Sequence, residues 1–362
     1  MREFLFKSAV IIVLFPLIGM VISTLVYSSG VDVFRDYEIP EMVRKLDFMR
    51  QNPDTYDTVF VGSSRIFRHL DPDAFDAATG HSTRSFNLGV QSFFPYRSFD
   101  VLQQDEILNP RVSNVLIELA PLGRIDQNYN KNPNIHSVNF ERYLLVADLS
   151  FNHPGSRYSR LRYLIGYSAL FLYKYAGFGI HKYVWIAAGF PSVPSELAGR
   201  PVGLESSGFF PLDKELQVRP SNSLRKRKEE FRNNADKVLS MYRESYAQMS
   251  IPDPPVTYAY LEWIRARLQQ LRARGKFVVF VLPPRQTQRD LEDLHNQHRV
   301  LAEIPLIDFS DPDRYPALST IENSFDRSHL NSAGARIMSA ECGRQLRQIL
   351  QSTRPPSGSD SP

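Results

Sequence analysis

Two short stretches of this 362-residue chain carry residue types that do covalent chemistry when they meet. The first is Gly62-Ser63-Ser64-Arg65, which ends an apolar run, Thr58 to Val61. The second lies far downstream in "SFDRSHLNSAGARIM", where Asp326 and His329 stand three residues apart. That spacing lets them share a turn, so the carboxylate can orient the imidazole, fix its tautomer and stabilise the imidazolium. The other ring nitrogen is then left for a nucleophile such as a serine hydroxyl. Each stretch also has a plain alternative. Asn331 before a helix reads as a cap, and a tight turn accounts for Gly62, though not for the two serines after it.

Other chemistry-bearing clusters are weaker. Asp71, Asp73 and Asp76 in "DPDAFD" hint at a calcium loop but lack the glycine and the distal glutamate, so turn and cap roles are expected. His295 and His298 can share a helix face, yet no His-Glu-x-x-His and no carboxylate partner completes a metal site. The single cysteine, Cys342, excludes an internal disulfide and a multi-cysteine metal site. No Walker loop and no Gly-x-Gly-x-x-Gly occurs, so no cofactor is implied. The net charge of +4 is mild and dispersed, which argues against nucleic acid as a partner.

The elements that must position the serine and the Asp–His pair are legible as short apolar runs. Thr58–Val61, Ser85–Leu88, Val115–Leu119, Phe277–Leu282 and Leu306–Phe309 are continuous and rich in Val, Ile, Leu and Phe, as expected of parallel strands buried on both faces. Helical patterns separate several of them. In "TYAYLEWIRARLQQLRARG" Leu261, Ile264, Leu268 and Leu271 recur at helical spacing, and Gly275 fits the stop before "KFVVFVLPP". The alternation predicts an α/β fold, a three-layer α/β/α sheet.

The amino terminus carries Arg2 and Lys7, then no charge over the 24 residues from Ser8 to Val31. At about 1.5 Å per helical residue this run can cross a hydrocarbon core of about 30 Å. Basic residues before it and Asp32 after it put the amino end in the cytoplasm and the bulk outside. A cleavable signal peptide is the rival, with Ser28 and Gly30 as its small residues, but its apolar region normally runs only about 7–15 residues. The expected organisation is an anchor over 8–31, a stalk and short helix over 32–55, and a sheet domain in two halves, 56–122 and 257–350. Between the halves lies a large, mostly helical insertion, 123–256, and the chain ends in a disordered tail, 351–362. The insertion is dense in Tyr, Phe and Trp, and reads either as interfacial helices near the membrane or as the aromatic core of a cap. Its basic cluster, Arg225 to Lys228, reads as a solvated helix face, with contact to lipid headgroups as the alternative.

Taken in order, a strand ending in Gly-Ser-Ser, a second ending in "FNLGV" and an Asp-x-x-His before the last helix resemble the SGNH, or GDSL-like, hydrolase superfamily. The likeness is to its membrane-anchored extracytoplasmic members, which modify envelope glycans or teichoic acids. It covers about 57–121 and 276–349. It implies a flavodoxin-like sheet of the SGNH type, with Ser64 as nucleophile, His329 as base and Asp326 as its acid. It further implies an oxyanion hole from the backbone N–H groups of Ser64 and Gly89. The asparagine often found after the family's third strand is missing from "NVLIELAPLGR", which leaves Asn87, Gln91 or Arg65 to substitute. Arg65 and Arg285 are further candidates for binding substrate. The implied function is a serine esterase or O-acyltransferase of an envelope polysaccharide, anchored in the bacterial cytoplasmic membrane with its domain in the periplasm. A membrane-embedded acyltransferase would be its partner. The alternative is a non-catalytic scaffold or glycan-binding protein that retains the fold.

Overall fold

In the computed structural model, the residues described are 40–91, 95–121, 138–152, 157–175 and 201–353, with a few positions between Val10 and Val21. Most of the expected span 8–31, the stalk up to residue 39 and the tail beyond residue 353 therefore lie outside the described residues. Among the described residues no helix is long and apolar enough to cross a membrane.

The chain forms an α/β fold around a five-stranded, wholly parallel sheet. Helix α1 (Pro40–Gln51) leads into β1 (Thr58–Val61), followed by α2 (Ser64–His69) and α3 (Pro72–Ala78). Then come β2 (Ser85–Asn87), α4 (Pro95–Val101), α5 (Asp105–Leu108) and β3 (Asn114–Glu118). A helical stretch follows: α6 (Phe140–Asn152), α7 (Arg157–Tyr175), α8 (Leu212–Val218), α9 (Asn222–Asn233), α10 (Ala235–Ala247) and α11 (Ala259–Ala273). The chain finishes with β4 (Phe277–Leu282), α12 (Gln288–Val300), β5 (Leu306–Asp308) and α13 (Ser332–Thr353).

The strand order is β2-β1-β3-β4-β5, so the direction of winding reverses between β1 and β3. Ligand sites of open parallel sheets lie beyond the carboxyl ends of the strands at such a reversal. Every β1 residue is buried, as are four of the five in β3, which explains their unbroken apolar character. Beneath that rim, Phe60, Leu116, Val279, Val281 and Ile307 join Ile66, Phe75, Met338, Cys342 and Leu346 in one core cluster. Met338, Cys342 and Leu346 recur along one face of α13, which packs on α3 and α2. Helix α11 buries Leu261, Ile264, Leu268 and Leu271 as their spacing predicts, and Gly275 follows its end with a φ of 77°.

Contacts divide the chain into two compact units. The sheet unit comprises Glu41–Leu122, Pro201–Thr257 and Leu261–Pro362; the other comprises Met1–Pro40, Gly123–Arg200 and Tyr258–Tyr260. The stretch expected as one insertion, 123–256, is thus divided near residue 200. Buried and part-buried polar contacts tie its second part to α2 and to the start of α13. Arg68 of α2 donates to the Phe210 carbonyl and pairs with Glu215 of α8, and Asp213 accepts from the backbone and hydroxyl of Ser332.

Candidate active site

Glycine at position 62 is a steric requirement. A Cβ there would lie 2.4 Å from Ile66 Cγ1 and 2.6 Å from the Glu118 side chain. Parallel pairing sets Val61 beside Ile117, so the next residue of β3, Glu118, comes under the turn that follows β1. Its carboxylate accepts from the Ser63 backbone N–H at 2.5 Å and from the Ser63 hydroxyl at 3.0 Å. Ser63 Oγ in turn accepts from the Arg65 N–H and caps α2. The first serine is therefore structural: it locks the turn to β3 and starts the helix.

The second serine points elsewhere. Ser64 Oγ lies 3.0 Å from His329 Nε2, across 265 residues of sequence. On the far side of the ring, His329 Nδ1 lies 3.0 Å from Asp326 Oδ1. Asp326 Oδ1 also accepts the backbone N–H groups of Ser328 and His329, which closes the turn. With Nδ1–H donated to Asp326, Nε2 keeps its lone pair and accepts the Ser64 hydroxyl proton; this tautomer follows from the bonding network.

Burial raises the Asp326 pKa, but the His329 hydrogen bond and the positive charges around it win and hold the carboxyl far below its ordinary value. Burial likewise lowers His329; Asp326 opposes this, and the Arg227 and Arg65 cations add to it. The net direction is downward, so the imidazole is neutral near pH 7, as a general base requires.

Three groups that the sequence reading did not single out hold this arrangement. The basic cluster of α9 is largely solvated, as expected, with Arg225 and Lys226 exposed, but Arg227, 39% exposed, also has partners in the site. Its guanidinium donates to Asp326 Oδ2 and lies 3.3 Å from His329 Nδ1. Fully buried His69 accepts the Leu330 N–H through Nε2 at 3.1 Å, and its ring meets the His329 ring edge-on. Buried Lys45 of α1 donates to the carbonyls of Asn87, Gly89 and Gly208 at 2.7–2.8 Å. Glu118, unlike these three, left a local trace: an acid directly after the apolar run Val115 to Ile117.

Several expected roles are corrected. The Gly89 N–H donates to Asn87 Oδ1 at 2.8 Å, so it is engaged within the protein rather than turned to an oxyanion. Asn87 is fully buried and its amide donates to Ile66 O and Leu70 O, where it ties β2 to α2; it offers nothing to substrate. Arg285 is also buried, with a φ of 64°. It donates to the carbonyls of Leu318 and Asp326 and to Ser324 Oγ, so it supports the Asp–His turn from below. Burial pushes its pKa down to about 10. Arg65 is half-buried and donates to the Arg285 carbonyl at 3.4 Å. Gln91 is half-buried at the end of the described loop after β2. The amide of Ser64, in the first turn of α2, has no acceptor among the described residues.

Asp71 caps α3, and Asp76 accepts from Thr83 and Ser85. His298 meets the Ile304 carbonyl, while His295 lies 3.7 Å from Asp308. These groups serve the fold. Beside the acid, a cleft of about 400 Å³ opens between α9, the start of α10 and the Asp326–Ser328 turn, with Arg227, Lys237 and Arg327 on its walls. No model of a known protein family matches the chain, and no curated protein matches it in sequence.

Proposed function

We propose that this chain is a serine esterase or O-acyltransferase of the SGNH type, with a flavodoxin-like three-layer domain. It is held by an amino-terminal span in the bacterial cytoplasmic membrane, faces the periplasm and acts on an envelope polysaccharide. The observation that carries the chemistry is the contact of Ser64 Oγ with His329 Nε2 at 3.0 Å, with Asp326 on the opposite ring nitrogen.

In the reaction, Ser64 Oγ attacks the ester carbonyl as its proton passes to His329 Nε2. The bond to the leaving oxygen breaks and that oxygen takes the proton, which leaves the acyl group on Ser64. Water or a sugar hydroxyl then gives its proton to Nε2 and attacks the acyl carbon; the bond to Ser64 Oγ breaks, and Oγ takes the proton back from Nε2. Water yields hydrolysis; a sugar yields transfer. The Ser64 N–H is the donor for the oxyanion, and each such donor is worth about 10²–10³ in turnover. The cleft beside Asp326, lined by Arg227, Lys237 and Arg327 together with Glu230 and Asn234, offers the mixed polar groups that a hydroxylated sugar chain would meet next to the site. In the transferase reading, a membrane-embedded acyltransferase is the partner that presents the acyl group.

The test is a fluorophosphonate probe, which traps a serine activated by a neighbouring base. The wild-type chain is expected to label and Ser64→Ala to remain unlabelled. A folded wild type that fails to label would move the protein to the second reading, a non-catalytic scaffold that binds glycan. That reading draws on the Gly89 N–H being taken up by Asn87. For an active protein, the acid limb of kcat/KM is expected below the ordinary histidine value of 6.5, because burial disfavours the imidazolium. Arg227→Gln removes a cation that lowers the His329 pKa, so its acid limb should move to higher pH. An unchanged limb in that variant would show that Arg227 does not act on His329.

A further inference from the structure

Helices α6 and α7 belong to the unit that does not contain the sheet, and they form an antiparallel hairpin. Phe140, at the start of α6, meets Phe171 near the end of α7, and Tyr143 packs against both Tyr167 and Phe171. Tyr143 also bonds to Ser168 through its hydroxyl. Tyr167 and Leu170 are fully buried on this inner side.

The outer side is unlike that of a soluble helix pair. Phe140, Leu144 and Phe151 of α6 and Tyr158, Leu161 and Ile165 of α7 leave 52–75% of their surface exposed. At 100° per residue, those of α6 fall within an arc of about 40° and those of α7 within about 60°. The α6 stripe lies roughly a quarter-turn past Tyr143, and the α7 stripe roughly a quarter-turn past Tyr167, Ser168 and Phe171, in the direction of chain progress, with Phe140 at the edge where inner and outer sides meet. In an antiparallel pair, equal rotations of that kind bring both stripes to the same side. The hairpin therefore presents one continuous apolar and aromatic face.

We infer that this face lies on the lipid bilayer, with α6 and α7 parallel to the membrane surface. The inference rests on the proposed amino-terminal anchor, which it extends. Three observations choose lipid as the occupant. First, only eight residues, 32–39, separate the end of the uncharged run at Val31 from α1. Even fully extended they reach about 28 Å, so the described protein is tethered close to the surface that holds the run. Second, α7 carries four basic residues, Arg157, Arg160, Arg162 and Lys174, and no acidic one. Exposed Arg157 and Arg162 fall on opposite flanks of its apolar stripe, where long cationic stems reach anionic headgroups while the stripe sinks among the acyl chains. Third, those same charges keep α7 from crossing the membrane, although its 19 residues approach the required length. A helix too charged to span and too apolar to leave in water belongs at the interface.

The test uses the full chain in lipid nanodiscs of phosphatidylcholine and phosphatidylglycerol, with an environment-sensitive dye on one introduced cysteine. Cys342 is fully buried and leaves the background clean. Dyes at Leu144→Cys and Leu161→Cys should emit to the blue and lose most of their intensity to lipids carrying a shallow nitroxide. They should also be several-fold less sensitive to acrylamide than a dye at Asp236→Cys on α10. Equal acrylamide sensitivity at all three positions would overturn the inference. So would protection from acrylamide without nitroxide quenching, which would mean that protein covers the face. A fourth dye, at Leu17→Cys, reports the anchor separately through a nitroxide placed deep in the bilayer. If that dye stays unquenched while the hairpin dyes are quenched, the anchor fails and the hairpin's contact with lipid stands.

Discussion

Ser64→Ala is expected to lower ester turnover by about 10⁶-fold while leaving the thermal unfolding of the chain unchanged. Among the described residues the Ser64 hydroxyl bonds only to His329 Nε2, whereas the turn around it is held by Ser63 and Glu118, so its removal costs the fold little. The rate suffers because alanine has no oxygen to carry the acyl group. Asp326→Asn should cost about 10⁴-fold by a different route. An asparagine amide placed there donates where the carboxylate accepted, so Nδ1 loses its proton to Nε2 and the base is blocked. Nucleophile and base act as one unit, so adding His329→Ala to Ser64→Ala should lower the rate little further. Nitrophenyl acetate turnover measured on the variants decides the matter. A Ser64→Ala enzyme within about tenfold of wild type would place the nucleophile elsewhere.

Lys45→Met is expected to destabilise the protein by about 3–5 kcal/mol, the range for breaking a buried charged network by removing one partner. The Lys45 side chain is fully buried and all three of its donors are used on backbone carbonyls. Burial pushes its pKa well down, and its charge sits over the Phe67 ring at 4.0 Å. Methionine fills nearly the same volume but strands the Asn87, Gly89 and Gly208 carbonyls in a dry interior. Those carbonyls come from the end of β2, the loop after it and the segment after residue 200, so one side chain of α1 fastens them beside α2. Urea unfolding checks this: the midpoint should fall with little change in slope. A loss below about 1 kcal/mol would mean that the three carbonyls find other donors.

These two variants fall on opposite sides of what is legible without coordinates. Ser64, Asp326 and His329 stand out in the chain because their signals are local. One serine follows a strand and a tight glycine; the other two residues are spaced to share a turn. The five strands are legible for a related reason, since burial on both faces demands uninterrupted apolar side chains, and observed bounds differ from expected ones by a residue at most. Lys45, His69 and Arg227 carry no such mark. Each sits in an ordinary helical pattern, and its partner is dozens to hundreds of residues away. Arg227 is hidden in "RKRKEE", where every neighbour also carries a charge.

The same distinction explains the corrected roles. Asn87, Gly89 and Arg285 stand next to strand ends, which made them candidates for substrate. Whether a polar group faces a ligand or the interior depends on which donors and acceptors the fold brings beside it. Here Asn87 meets Gly89 and two carbonyls of α2, and Arg285 meets the underside of the Asp326 turn.

By itself, then, the order of residues determined the alternation of helix and buried strand, the glycine-serine turn and the Asp–His pair. All of these follow from steric and hydrophobic preferences acting over a few neighbours. Tertiary structure alone decided that Ser64 meets His329, that residues 201–257 pack with the sheet unit, and which polar groups are consumed inside. Those outcomes depend on satisfying buried donors and acceptors across hundreds of residues, and no local pattern encodes which distant carbonyl a lysine will find.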